Sequence, residues 1–168
     1  PIVMCGCVPS RYGDDLPGEL PEVAAFVRTD EEDGIVAVVD RLLGVSRSAP
    51  AFVPDVKRTV EGSVAYVKIS DGCDRFCSFP IPYIRGRYHS RPAERILAEV
   101  RDLVDSGVRE IVLIGQDTGI WGEDLPQEGE GPHNLAQLLV AVAGAVRPER
   151  VWIRVLYLQP EGMTDELI

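Results

Sequence analysis

The chain has 168 residues, 45% of them hydrophobic and 26% charged, with a formal net charge of −10 at pH 7. That length suits one domain or pieces of two, and no apolar run approaches the ~20 residues that a membrane-spanning helix needs. The acidic balance argues against a surface that grips a phosphate backbone by itself, so nucleic acid is not an expected partner.

No basic stretch precedes Pro1-Ile2-Val3-Met4, so nothing reads as a secretory leader, and the expected compartment is the cytoplasm. Pro1–Cys5 reads as a buried strand, and Cys5 as a buried strand residue. Cys5-Gly6-Cys7 then opens a turn, followed by a short helix between Arg11 and Leu20 that Pro17-Gly18 breaks. Ala24–Val27 reads as a second strand. Asp30 is placed to cap a helix through Ile35, Val36, Val38, Val39 and Leu42/Leu43, and Gly44 ends it. This is an α/β pattern over residues 1–44. Residues 45–62 have no period and include Pro50 and Pro54, as a linker does.

A second unit, 63–168, opens with the alternating strand Val64–Ile69 and runs directly into a cysteine loop. Ser90 is expected to cap a helix with Pro92 in its first turn, an apolar face of Ile96, Leu97, Val100, Leu103 and Val104, and an end at Gly107. Ile111–Ile114 is a continuous apolar strand of the kind a parallel sheet buries on both faces. Asn134 or His133 opens the next helix, with Leu135, Leu138, Leu139 and Val142 inward. Val151–Leu156 reads as a third strand, with Trp152 in the core or on a barrel exterior, and residues 163–168 start another helix. The βαβαβα order predicts a parallel sheet and fits a (β/α) barrel or half-barrel. Chemistry then belongs at the C-terminal ends of the strands. The loops leaving those ends carry Cys73 and Cys77, Gly115-Gln116-Asp117-Thr118, and Tyr157-Leu158-Gln159-Pro160.

The four cysteines fall into two close pairs, Cys5/Cys7 and Cys73/Cys77. Tight pairs in a cytosolic chain point to metal or redox work rather than to a disulfide framework. Asp74 and Arg75 between the second pair argue against its burial. Arg85 and Arg87, His89 and His133 read as surface residues, and Glu123-Asp124 with Glu128-Gly129-Glu130 as a flexible acidic loop.

The string Gly72-Cys73-Asp74-Arg75-Phe76-Cys77-Ser78-Phe79, then Ile81-Pro82 and Arg85-Gly86, resembles the radical S-adenosylmethionine methylthiotransferases. Ser90-Arg91-Pro92, Glu110–Thr118 and Leu156–Pro160 continue the resemblance, and Gln116-Asp117-Thr118 with Trp121-Gly122 is similar to the RimO branch. The fold this implies is α/β: the first half of a radical S-adenosylmethionine (β/α) barrel, preceded by the C-terminal part of an α/β N-terminal domain. The activity it implies is transfer of a methylthio group to the β-carbon of an aspartate in a small-subunit ribosomal protein.

The implied cofactors are S-adenosylmethionine and [4Fe–4S] clusters, two in the full-length family, with an electron donor such as a flavodoxin as a partner. Cys73 and Cys77 would be thiolates of the radical-generating cluster, and Cys7 the last ligand of the N-terminal one. Phe79 would rest near the adenine. Gln116 and Asp117 would meet the cofactor's polar tail or the substrate.

The family's cluster takes a third cysteine. Counting from Cys77 it should be residue 80, where Pro80 stands, while Ile81-Pro82 lies one place early when counted back from Arg85-Gly86. A one-residue deletion between Phe79 and Pro80 satisfies both counts, whether the molecule lacks that residue or the sequence omits it. The resemblance therefore implies a fragment that is not competent by itself. A tRNA-modifying, MiaB-like enzyme is an alternative, although that branch typically has asparagine where Asp117 stands. A non-enzymatic Cys₄ zinc module is another.

Overall fold

The computed structural model describes residues 1–45, 62–77, 81–126, 131–146 and 150–168. It groups the chain into two units, Pro1–Lys57 with Arg75–Gly86, and Arg58–Asp74 with Arg87–Ile168. Most of the expected linker, along with Phe79, Pro80 and Glu128–Glu130, lies outside the described residues.

In the first unit, strand β1 (Ile2–Gly6) pairs in parallel with β2 (Val23–Arg28), with Val3 opposite Ala25 and Cys5 opposite Val27. The expectation of a buried first strand is corrected. Ile2 and Cys5 are exposed and the other β1 residues half-buried, because a two-stranded sheet cannot cover both of its faces. Helix α1 (Cys7–Tyr12) starts directly after Gly6, where a turn was expected. The segment expected as one broken helix is instead split into α1, a 3₁₀ turn at Gly13–Asp15, and α2 (Leu16–Glu19). Pro17 falls in the first turn of α2, where its missing N–H leaves no helical bond unmade.

Asp30 caps nothing. A 3₁₀ turn at Glu32–Gly34 leads into α3 (Ile35–Leu43), with the Gly34 amide donating to Glu31 O at 2.9 Å. Gly44 ends α3 as expected, at φ 66°, with its amide and that of Val45 donating to Arg41 O and Asp40 O at 3.2 and 2.9 Å. Helix α4 (Ile81–Arg85) packs on α1, and Ile84 O accepts from Thr29 Oγ1 at 2.7 Å.

The second unit holds a parallel sheet in the order β3 (Val64–Lys68), β6 (Glu110–Ile114), β7 (Trp152–Val155). Between β3 and β6 come a short antiparallel ribbon, β4 (Ser70–Asp71) with β5 (His89–Ser90), and α5 (Ala93–Asp105). Helix α6 (Leu135–Ala145) lies between β6 and β7. In register, Val67 stands opposite Leu113 and Leu113 opposite Val155.

One cluster fills the space between sheet and helices. Val67, Ile69, Ile96, Val100, Val108, Ile111, Leu113, Leu138 and Val142 are all fully buried in it. The expected apolar faces of α5 and α6 are the faces in this core. The amides of Gly107 and Val108 close α5 on Val104 O and Leu103 O at 2.9 and 3.1 Å. Asn134 caps α6, its Oδ1 accepting from Gln137 N at 2.9 Å.

Three further expectations need correction. Ser90 does not cap α5, because its amide and hydroxyl are engaged elsewhere and Pro92 stands at the cap. Glu123-Asp124 is not a loose acidic loop, because Asp124 Oδ2 accepts the Ser90 amide at 2.8 Å. The expected final helix is a 3₁₀ turn at Pro160–Gly162 followed by a single turn, in which Leu167 and Ile168 both donate to Thr164 O. Trp152 is 77% exposed on β7, the edge of the described sheet, while Trp121 is fully buried.

Candidate functional site

The C-terminal edge of the parallel sheet in the second unit gathers three loops. Past β3, Ile69 N donates to Ile114 O at 2.8 Å, which carries the pairing one residue further and delivers the chain into β4. Asp71 then takes Lys68 Nζ at 2.6 Å and the Gly72 amide at 2.9 Å, and Cys73 follows. Cys73 is only 7% exposed, against the expectation that its polar neighbours would keep it at the surface. Asp74 is exposed and Arg75 half-buried, so the polar side chains turn outward while the thiol goes in.

On the loop after β6, Gln116 is half-buried and Asp117 and Thr118 are fully buried. Thr118 ties this loop to the one after β7, its amide donating to Tyr157 O at 3.1 Å and its hydroxyl to Leu156 O at 2.8 Å. Gly115 lies so close to β4 that a Cβ there would stand 2.3 Å from Ser70 Oγ. Tyr157, 60% exposed, is the one non-glycine among the described residues with positive φ, at 63°.

The chain after β6 also joins a polar cluster that the sequence reading missed. Ser90 is its hub. The hydroxyl accepts from Gly122 N at 2.9 Å and donates to the Tyr88 phenol at 3.5 Å. Burial pushes the Tyr88 phenol up from its ordinary value. The Ser70 and Ser90 hydroxyls work against that rise, and the carboxylates of Asp124 and Asp117 add to it. The buried Trp121 adds a further tie, its Nε1 donating to Arg91 O at 3.2 Å. Only the Ser90-Arg91-Pro92 and Trp121-Gly122 strings hinted at it, and no periodicity links them.

At the exit of the cysteine loop, Asp74 is held by three donors. Arg87 Nε reaches Oδ1 at 2.5 Å and Nη2 reaches Oδ2 at 3.2 Å, while the Tyr88 amide donates to Oδ1 at 3.0 Å. The Arg87 guanidinium, first through its hydrogen bonds, holds the Asp74 carboxyl below its ordinary range. Arg87, expected as a free surface charge, is thus a partner of Asp74.

The first unit carries the other cysteines. Cys7 opens α1 and is half-buried, while Cys5 on β1 and Cys77 are exposed; the expected burial of Cys5 is corrected. No disulfide joins any of the four. Near Cys77, the exposed rings of Phe76 and Tyr83 meet edge to face with centroids 6.3 Å apart. Phe79 lies outside the described residues.

Thiolates suit iron–sulfur ligation. The motif offers Cys73 and Cys77, one thiolate fewer than a cluster with an open iron takes, and among the described residues no trio of His, Cys, Asp or Glu side chains is grouped to hold a metal ion. The donor set as it stands is incomplete.

No family model matches the chain. It is 41% identical over 180 residues to the ribosomal protein uS12 methylthiotransferase RimO of Syntrophus aciditrophicus, covering 99% of this chain and 38% of that protein. It is 40% identical over 177 residues to the protein of the same name from Geobacter sulfurreducens, covering 99% and 38%, respectively. It is 39% identical over 177 residues to that of Desulfosudis oleivorans, covering 99% and 39%. The chain thus spans about two fifths of the length of the curated relatives it matches.

Proposed function

We propose, on the premise that this chain is RimO-family sequence over the stretch it covers, that it serves in a methylthiotransferase acting on an aspartate of ribosomal protein uS12. The observation that carries the reading is the similarity itself, 39–41% identity along 99% of the chain to proteins named for that activity. The tRNA reading has no such support, because these relatives are named for a protein substrate.

In this reading residues 1–44 end an N-terminal domain, 45–62 form a linker, and 63–168 are the first strands of a radical S-adenosylmethionine barrel. The parallel order β3-β6-β7 with intervening helices is compatible with that assignment. Cys73 and Cys77 would supply thiolates to a [4Fe–4S] cluster, and Cys7 a thiolate to a second. Phe79 and Gln116 would contact S-adenosylmethionine, and Asp117 would contribute from beneath the surface. When bound, the cluster and the cofactor would supply one-electron chemistry that a protein side chain cannot. This chain's own part is to shape the C-terminal edge of the sheet. The Thr118 bonds hold the Gln116 loop against the loop after β7, and Gly122 ties the chain after β6 to Ser90.

The test is mass spectrometry of uS12 from cells whose own enzyme is deleted, complemented with the intact protein. A gain of one methylthio group on a single aspartate is expected, and it should be lost in Cys73→Ala and Cys77→Ala. Unmodified uS12 with the wild-type protein present would sink the proposal. A tandem spectrum of the peptide from Cys73 to Arg85 settles the donor count. A cysteine between Phe79 and Pro80 completes the set, and a direct Phe79-Pro80 bond leaves it one short.

A further inference from the structure

Residues 75–86 leave the second unit at Asp74 and return to it at Arg87. The two residues at that neck are the two that bind each other. Asp74 accepts a paired set of hydrogen bonds from the Arg87 guanidinium and a third from the backbone of the next residue, Tyr88. We propose that Asp74 and Arg87 form a metal-independent clasp that ties the chain leaving Cys73 to the chain entering Tyr88, and so positions Cys73 before any ligand binds.

Isolated exposed ion pairs are weak, and the side chains here are 42% and 71% exposed. Two features separate this pair from that case. The contact is bidentate, which fixes the relative orientation of the two groups as well as their distance. The Tyr88 amide adds a backbone donor to the same carboxylate, and the Tyr88 ring is itself buried, 8% exposed, against Ser90. The chain at Tyr88 is therefore anchored in the buried polar cluster, and the clasp passes that restraint to Asp74, one residue past Cys73. The β4–β5 pairing, with Asp71 opposite His89, already brings together the two ends of the segment between them, and the clasp extends that closure to Asp74 and Arg87. A restraint at Asp74 made beforehand limits the freedom of the adjoining Cys73, which is preorganisation of a candidate ligand by residues that do not ligate.

Asp74 and Arg87 are positioning residues in this proposal. It takes from the proposed function only the role of the loop, and the first arm of the test does not depend on that role. Amide hydrogen exchange is followed in the metal-free intact protein for peptides covering 73–77 and 85–88. Arg87→Ala and Asp74→Ala should each speed exchange there by about tenfold, with β3 and β6 unchanged. Arg87→Lys, which keeps the charge and loses the fork, should fall between. In wild type, raising salt to about 1 M should move these peptides toward the Arg87→Ala pattern. Equal exchange in wild type and Arg87→Ala overturns the clasp. Should Arg87→Ala unfold, as circular dichroism would show, Arg87→Lys and the salt series carry the decision, and no change in both overturns the proposal.

The second arm loads the protein anaerobically with ferrous iron and sulfide and reads the thiolate-to-iron absorption. Slower loading in Arg87→Ala, partly restored in Arg87→Lys, supports positioning. Identical loading in all three overturns it. Should wild type take up no iron, the cluster reading fails, and the exchange arm alone decides the clasp.

Discussion

The two units teach by contrast what a sheet needs before it can hold a site. In the second, three parallel strands, the amphipathic α5 and the largely apolar α6 enclose a continuous core, with Leu113 in the middle strand fully buried. In the first, two strands and short helices bury few large side chains, among them Leu16, Val27 and Ile84, and leave Ile2, Val8, Tyr12, Val36 and Leu43 exposed. Both have parallel pairing and glycine-terminated helices. The difference lies in how many faces each element can cover, and small units cover too few.

Core truncation should break this contrast most sharply. Leu113→Ala is expected to cost about 3 kcal/mol in urea unfolding followed by tryptophan fluorescence, because the close-packed site cannot collapse around the loss. A cost below about 1 kcal/mol would mean that the second unit is no better packed than the first.

Two glycines sharpen the comparison at the next level. Gly122 has φ 96°, and a Cβ there would stand 2.4 Å from His133 O, whereas Gly44 has φ 66° and open space. Gly44→Ala should cost about 1 kcal/mol for its left-handed backbone alone. Gly122→Ala should cost about 2–3 kcal/mol, because the backbone it meets must also move. Equal costs in thermal melts would show that the turn beside Ser90 is softer than the structure has it.

Smaller again is the cap of α6. Asn134→Ala should cost about 1 kcal/mol, and Asn134→Ser, which keeps a cap acceptor without setting a carboxylate against Glu166, should restore part of it. Denaturation midpoints of the three proteins decide this.

The smallest expected effect is a pH dependence. The folded Tyr88 phenol is held above its ordinary value of 10.0, so the neutral form favours the fold. That contribution is whole below pH 10 and disappears as pH rises through the folded value. Tyr88→Phe should flatten the alkaline fall in stability, at a cost under about 1 kcal/mol at neutral pH for the long bond to Ser90. An unchanged alkaline limb would place the phenol in water.

The parallel βαβαβ order was legible because its signals are local. Ile111–Ile114 announces a buried strand, Asn134 a cap, and Gly44 and Gly107 helix ends. What escaped depends on partners far along the chain. Ser90 looks like a cap until Asp124 and Gly122, more than thirty residues on, claim its amide and hydroxyl. Arg87 looks solvated until Asp74 is brought to it. Cys73 looks exposed because its neighbours are polar, yet one residue can turn inward between them. Of the candidate site, only the strings carrying Cys73, Cys77 and Gln116-Asp117 stand out in the sequence, and their roles rest on the resemblance. Their support, centred on Tyr88 and Ser90, does not stand out, because hydroxyl networks have no period.

Both tryptophans, Trp121 and Trp152, lie in the second unit, one fully buried and one 77% exposed. Their emission should therefore separate into a blue, quencher-resistant component and a red one that acrylamide removes. Neither reports on β1, β2 or α1. Fluorescence therefore follows the melting of one half of the molecule only, and any lag between it and circular dichroism would measure how far the halves unfold independently.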